Sequence, residues 1–167
     1  MKLNFLFLFF LLTCQALPIG AVEAGKTAPT LVGKYLESDP AAYYSLSMEP
    51  GKWRVFNFFS TVCEPCRAEI PEYAALSREY PDVSFFLVNA YDEKPEQIRR
   101  FLDGLKDRIK NVLLSSPNVR DRFTREGDPG LILPATFVIG PGNVIKLAEY
   151  GYNKELILKI KEALGKE

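Results

Sequence analysis

Two cysteines separated by two residues, Cys63 and Cys66, are the side chains of this chain whose type and spacing can carry redox chemistry. The nucleophile of disulfide exchange is the thiolate, so such chemistry needs a sulfur whose charged form is stabilised. The surrounding residues supply that setting. Residues 54–59, Arg-Val-Phe-Asn-Phe-Phe, have the β-branched and aromatic composition of a buried strand. Ser60-Thr61-Val62 is a short connection, and Cys63-Glu64-Pro65-Cys66 opens a helix. Pro65 suits the first helical turn, where its missing N–H would have had no intrahelical partner. At that helix end the free N–H groups and the macrodipole favour a thiolate on Cys63. Cys66, one turn further, is placed to attack a disulfide formed by Cys63. The alternative is a pair of structural cysteines, joined to each other or bound to a metal. Yet C-x-x-C directly after a strand and before a helix is the redox context.

Composition narrows the chemistry further. The absence of histidine removes Cys–His and Ser–His catalytic pairs. Arg67, not histidine, follows Cys66, which removes c-type haem attachment. A structural zinc site needs about four Cys or His ligands, and the chain has three cysteines. No metal and no cofactor is therefore expected. Lys+Arg and Asp+Glu both number 21, so charge gives no bias toward nucleic acid. A chain of 167 residues with 47% hydrophobic composition reads as one domain with a real core.

The positioning elements follow in order. Residues 25–51 lead through a turn-rich stretch into the strand that Trp53 precedes. Residues 69–80 form a helix with Ile70, Tyr73, Leu76 and Tyr80 on one face, and Pro71 inside it predicts a kink. Residues 83–90 read as a second buried strand, and 92–105 as an amphipathic helix carrying Ile98, Phe101, Leu102 and Leu105. A short strand at 111–115 and a short helix at 117–125 come next. Residues 133–139 and 144–150 are apolar runs joined by Gly140-Pro141-Gly142-Asn143, a hairpin signal. Asn153 can cap a final helix over 154–164. This element order fits an α/β sandwich with a mixed sheet.

The stretch from Asn57 through Cys63-Glu64-Pro65-Cys66 to Glu69-Ile70-Pro71 resembles the active-site motif N-F-W-x-T-W-C-E-P-C-x-x-E-x-P of the TlpA/ResA-like thiol–disulfide oxidoreductases of the thioredoxin superfamily. Gly25-Lys26-Thr27-Ala28-Pro29 resembles that family's G-x-x-A-P opening. Phe59 and Val62 stand where the motif has tryptophans, and Val62 takes away a ring that flanks the reactive sulfur in relatives. The resemblance implies a thioredoxin-like fold, a central mixed β-sheet flanked by helices. It implies Cys63 as the attacking and Cys66 as the resolving thiol, with Glu64 and Pro65 tuning the redox potential. Pro134 matches the proline that follows a cis bond beside the C-x-x-C; without the motif it would read as an ordinary trans proline starting a strand. The Leu133 backbone beside it would then pair edge-on with an extended substrate segment. Glu69, three residues after Cys66, is implied as a proton shuttle with a raised pKa; on its own it could equally be a solvated helix carboxylate. Asn57 stands where thioredoxins proper carry a buried aspartate, and an amide cannot serve as a base.

The implied function is protein disulfide reduction, with a link to cytochrome c maturation. The implied partners are a disulfide-containing protein substrate and, as electron donor, a membrane thiol transporter of the DsbD/CcdA type. Reductive direction also follows from Glu64-Pro65: a carboxylate beside Cys63 opposes the thiolate, and a less stabilised reduced state means a lower potential. A peroxiredoxin-like antioxidant is the rival enzyme reading. It needs T-x-x-C, and Ser60 rather than Thr61 stands three before Cys63. A non-catalytic thioredoxin-fold binding module is a third reading, opposed by the intact cysteine pair.

Residues 3–12 are almost wholly apolar behind Lys2, too few for the about 20 that span a bilayer. They fit the core of a secretory signal, giving residues 1–24 as signal and 25–167 as the thioredoxin-like domain. Ala16 and Ala24 each end a small-residue cleavage site. The rival is a lipoprotein signal ending before Cys14, with membrane contact only through that lipid. The mature domain is thus expected in an extracytoplasmic, oxidising compartment such as the periplasm. N-terminal sequencing or intact mass of the exported protein should show a start downstream of residue 12. A mass carrying acyl chains on Cys14 would overturn simple cleavage.

Overall fold

The computed structural model describes residues 22–37, 42–107 and 109–165. The apolar run at 3–12, Cys14 and nearly all of the expected signal lie outside the described residues. The elements are β1 (Val32–Tyr35), β2 (Tyr43–Ser45), β3 (Arg54–Phe59), α1 (Glu64–Glu79), β4 (Ser84–Asn89), α2 (Pro95–Asp103), β5 (Val112–Ser115), α3 (Pro117–Arg122), β6 (Ala135–Ile139), β7 (Ile145–Tyr150) and α4 (Leu156–Ala163). The strands form one seven-stranded sheet in the order β2-β1-β5-β4-β3-β6-β7. β3, β4 and β5 are parallel neighbours, and the pairs on either side of them are antiparallel. This is the mixed α/β sheet flanked by helices that the sequence predicts.

Strand parity decides what each face holds. Because side chains alternate across a sheet, Val55 and Phe59 of β3 join Phe85, Leu87 and Val138 on the face covered by Ile70, Tyr73, Ile98 and Ile160. Phe56 and Phe58 project the other way, among Phe86, Val88, Phe137, Val119 and Phe123. All six residues of β3 are buried, as befits a strand with apolar layers on both sides. Asn57 has the parity of Val55 and Phe59, so it points into the face that α1 covers.

α1 is a single 16-residue helix with Pro71 inside it. The proline removes the hydrogen bond to the Arg67 carbonyl but does not end the helix. Tyr73 pins α1 to the sheet, its hydroxyl donating to the Val55 carbonyl at 2.8 Å and the Phe86 carbonyl at 3.1 Å. Two strands were not anticipated by sequence reading, β1 and β2. They are short, and they take hold through position rather than propensity. β1 pairs antiparallel with β5, where a Cβ at Gly33 would lie 3.0 Å from the Leu113 Cβ, so glycine lets the strands close without pushing Leu113 aside. At the other end of the chain, Asn153 begins the turn before α4. Its Oδ1 accepts the Glu155 N–H at 2.9 Å, but Glu155, not Asn153, is the N-cap, so the expected cap instead closes a turn three residues before Leu156.

Candidate active site

Cys63 is the N-cap of α1 and is joined to Cys66 in a disulfide. The Cys66 N–H donates to Cys63 Sγ at 3.2 Å. That is the orphan-donor contact of a helix N-terminus, with sulfur as the acceptor. Cys66 is fully buried, whereas Cys63 is half-buried and Val62 before it is 88% exposed. The turn therefore offers one sulfur outward and keeps the other beneath it. Pro65 lies in the first helical turn, as expected. Glu64 projects into solvent, its carboxylate 87% exposed and 3.7 Å from Arg67 Nε. Arg67 itself lies over the Phe101 ring, 4.7 Å from its centroid.

Glu69 is not a solvated helix carboxylate: only 3% of it is exposed. Asn57 Nδ2 donates to Glu69 Oε1 at 2.6 Å and to Thr136 Oγ1 at 2.9 Å. Register explains the trio. Asn57 lies opposite Thr136 in the β3–β6 pair, and Thr136 opposite Glu149 in the β6–β7 pair, a polar row crossing an otherwise apolar face. Burial pushes the Glu69 carboxyl up to about 7 from 4.5; the Asn57 hydrogen bond pulls it down, and the nearby charges of Glu72 and Glu149 raise it again. Glu69 Oε2 and Asn57 Oδ1 are both buried without partners among the described residues. Both are acceptors while Glu69 is ionised, and a proton on the carboxyl turns one of them into a donor. A buried group that changes protonation near neutral pH, one turn from Cys66, can take and return the proton that thiol exchange requires.

The Leu133–Pro134 bond is cis. Ala135 pairs with Phe58, so Pro134 stands at the sheet edge from which the chain leaves Phe59 toward Cys63. The Pro134 carbonyl accepts from Gly151 N–H at 2.8 Å, and Leu133 packs against the same core cluster as Cys63. Thr136 and Glu149 were missed in the sequence, because their signal is a shared sheet face that pairing alone reveals. Glu93 was missed too: its carboxylate accepts the Thr61 N–H and hydroxyl just ahead of Cys63. Among the described residues there is no cluster of three or more His, Cys, Asp or Glu fit to hold a metal, and no helix long and apolar enough to cross a membrane.

Comparison with known proteins places the site in a family setting. The AhpC/TSA family profile matches residues 24–148. The thioredoxin-like protein YneN of Bacillus subtilis is 33% identical over 129 residues, 75% of this chain and 70% of YneN. The thiol-disulfide oxidoreductase ResA of the same organism is 30% identical over 130 residues, 76% of this chain and 68% of ResA. A thiol:disulfide interchange protein of the thioredoxin family from Chlorobium tepidum superposes with a TM-score of 0.66 at 24% identity, covering 84% of this chain and 97% of that one, a likeness of fold.

The buried carboxyl sets two expectations for Glu69→Gln. Below about pH 4.5 Glu69 is neutral in both folded and unfolded chains. Between there and about 7 only the unfolded chain releases the proton, so stability falls as pH rises through this window. The urea midpoint of the oxidised wild-type protein should decline across it more steeply than that of Glu69→Gln. The variant should also exchange disulfides more slowly, with shifted apparent pKa values for the coupled cysteine pair. Superimposable stability and rate profiles would show that Glu69 does not bear the proton.

Proposed function

This chain belongs to the AhpC/TSA family and is a thiol–disulfide oxidoreductase, and from that premise we propose that it reduces disulfides of protein substrates outside the cytoplasm. The observation that carries the reading is the unequal exposure of the two cysteines at the start of α1. In the reduced protein the Cys63 thiolate attacks one sulfur of a substrate disulfide. A Cys63–substrate bond forms, the substrate bond breaks, and the departing thiolate takes a proton. Cys66, its proton accepted by the Glu69 carboxylate, then attacks Cys63 Sγ. That step expels the second substrate sulfur as a thiolate, which takes up a proton from Glu69 or solvent, and leaves the Cys63–Cys66 disulfide. The substrate has gained two electrons and the protein has lost them, so an external dithiol must restore them. The membrane thiol transporter implied by the family motif is the donor that fits this need. The cis Leu133–Pro134 segment supports docking of an extended substrate strand against the Leu133 backbone.

Export is supported by the apolar run at residues 3–12, and cytochrome c maturation by the resemblance of the Cys63–Pro71 motif to reductases of that pathway. Cys66→Ser should accumulate mixed disulfides with substrate through Cys63, while Cys63→Ser should abolish exchange; adducts on Cys63→Ser would reverse the two roles. Consumption of peroxide with no disulfide exchange would favour the peroxidase reading instead. Equilibration with glutathione buffers should give a potential well below about −200 mV. A value near the roughly −120 mV of strong oxidants would make the protein an oxidant.

A further inference from the structure

We propose that Glu93 is a positioning residue for Cys63, gripping the turn ahead of the nucleophile and holding a carboxylate charge close to it. Chain order gives no hint of this, because Glu93 lies 30 residues beyond Cys63, in the loop between β4 and α2. The contacts are specific. The Thr61 N–H is shared between Glu93 Oε1 at 3.1 Å and Oε2 at 3.0 Å, and the Thr61 hydroxyl donates to Oε1 at 2.6 Å. Asn89, buried at the end of β4, donates to Oε2 from Nδ2 at 2.5 Å. The carboxylate thus gathers donors from the β3–α1 turn and from β4. Hydrogen bonds to an ionised acceptor are the stronger kind, and these fix a turn that neither strand ladder nor helix holds.

The Cys63 N–H continues the same turn by donating to the Ser60 carbonyl at 3.3 Å. Only Val62 separates Thr61 from Cys63, so their Cα atoms lie at most about 7 Å apart. A carboxylate anchored on Thr61 therefore stands on the order of a Debye length, about 10 Å, or less from the sulfur, a range over which its field is incompletely screened. The start of α1 stabilises a Cys63 thiolate, and the Glu93 carboxylate opposes it. The charged residues nearest the pair in sequence are Glu64, solvated and set against Arg67, and Glu69, a turn inside the helix, while Leu133 and Pro134 bring no charge. An exposed carboxylate such as Glu64 is screened. The opposition to the thiolate that the sequence assigns to Glu64 therefore falls mainly on Glu93. The inference rests on the reductase reading for its purpose, though not for its measurement.

The test follows Cys63 alkylation in a Cys66→Ser background, quantified on the Cys63 peptide across pH, and glutathione equilibrium in the otherwise wild-type protein. Glu93→Gln keeps an acceptor oxygen and removes the charge. The alkylation midpoint should fall by roughly half a pH unit or more. The glutathione equilibrium should move about threefold or more toward the dithiol. A variant that titrates and equilibrates as wild type overturns the proposal. Should Glu93→Gln not fold, Thr61→Val against Thr61→Ser tests the grip. Loss of the hydroxyl should change Cys63 alkylation at fixed pH about threefold or more as the carboxylate is released from the turn, and serine should restore it. Equal rates for valine and serine would overturn the positioning role. Neither readout uses a protein substrate. A wild-type protein that equilibrates with glutathione yet reduces no protein disulfide would therefore fail the reductase reading alone.

Discussion

The hydrogen bond from Asn57 Nδ2 to Glu69 Oε1 is the contact on which the rest of the site depends. It is made inside an apolar layer, where an unpaired carboxylate would be prohibitively costly and a paired one is costly still. The chain accepts that cost at one place, directly behind the cysteine pair. Strand parity makes it possible: Asn57 shares a face with Val55 and Phe59, so a single amide replaces an apolar side chain in a continuous layer. Thr136 across the ladder occupies the second Nδ2 proton. With both amide protons committed, the amide cannot turn away, and Glu69 is held where α1 passes over β3. The Tyr73 hydroxyl, bonded to the carbonyls of Val55 and Phe86, fixes the same helix to the same strands one turn further on.

Three carboxylates thus lie on the elements that carry or abut the cysteine pair, and environment gives each a different part. Glu69 is buried, and that burial lifts its carboxyl to about 7, so it titrates near neutrality. Glu93 is tied to the turn by donors on Thr61 and Asn89. Glu64 stands in solvent beside Arg67 and is the most exposed of the three. Their chemistry is the same, and sequence position singles out Glu64 and Glu69 but not Glu93. The sheet supplies the difference, because β3 and β4 end side by side and deliver the turn before α1 and the loop before α2 to one edge.

Much of this was legible in the chain, and what was legible shares a physical cause. The run at Arg54–Phe59, the turn and the Cys63–Cys66 helix start are local, each set by side-chain type over a few residues, and the structure places them as read. The cis Leu133–Pro134 bond came from resemblance to a family motif, since composition alone does not distinguish it from a trans bond. Residues that act through non-local pairing stayed hidden. Thr136 looks like any β-branched strand residue until register sets it opposite Asn57. Glu93 looks like a solvated loop charge until β4 carries it to the Thr61 turn. β1 and β2 stayed hidden for the same reason: four and three residues cannot signal a strand by period, and β5 organises them.

Reduction of the disulfide changes the electrostatic load on this edge. The oxidised pair is neutral, whereas a reduced pair with Cys63 ionised adds one negative charge where carboxylates already stand. Arg67, the cation nearest in sequence, is drawn toward the Phe101 ring and Glu64. The compensating positive potential therefore comes chiefly from the N–H groups at the start of α1, and the Cys66 N–H already points at Cys63 Sγ. A helix terminus supplies a partial charge, not a full one. Against it stand the full charge of Glu93 and, once it has released its proton, that of Glu69. On the reductive reading proposed above, this balance disfavours a persistent thiolate and hence the reduced state, the condition for a protein that gives its electrons away. Protonation of Glu69 in the dithiol state relieves part of this load and couples the arrival of electrons to the uptake of a proton. On this reading, buried carboxyl and cysteine pair work as one two-electron, proton-linked unit, with Asn57 as the hinge between sheet and helix that keeps them together.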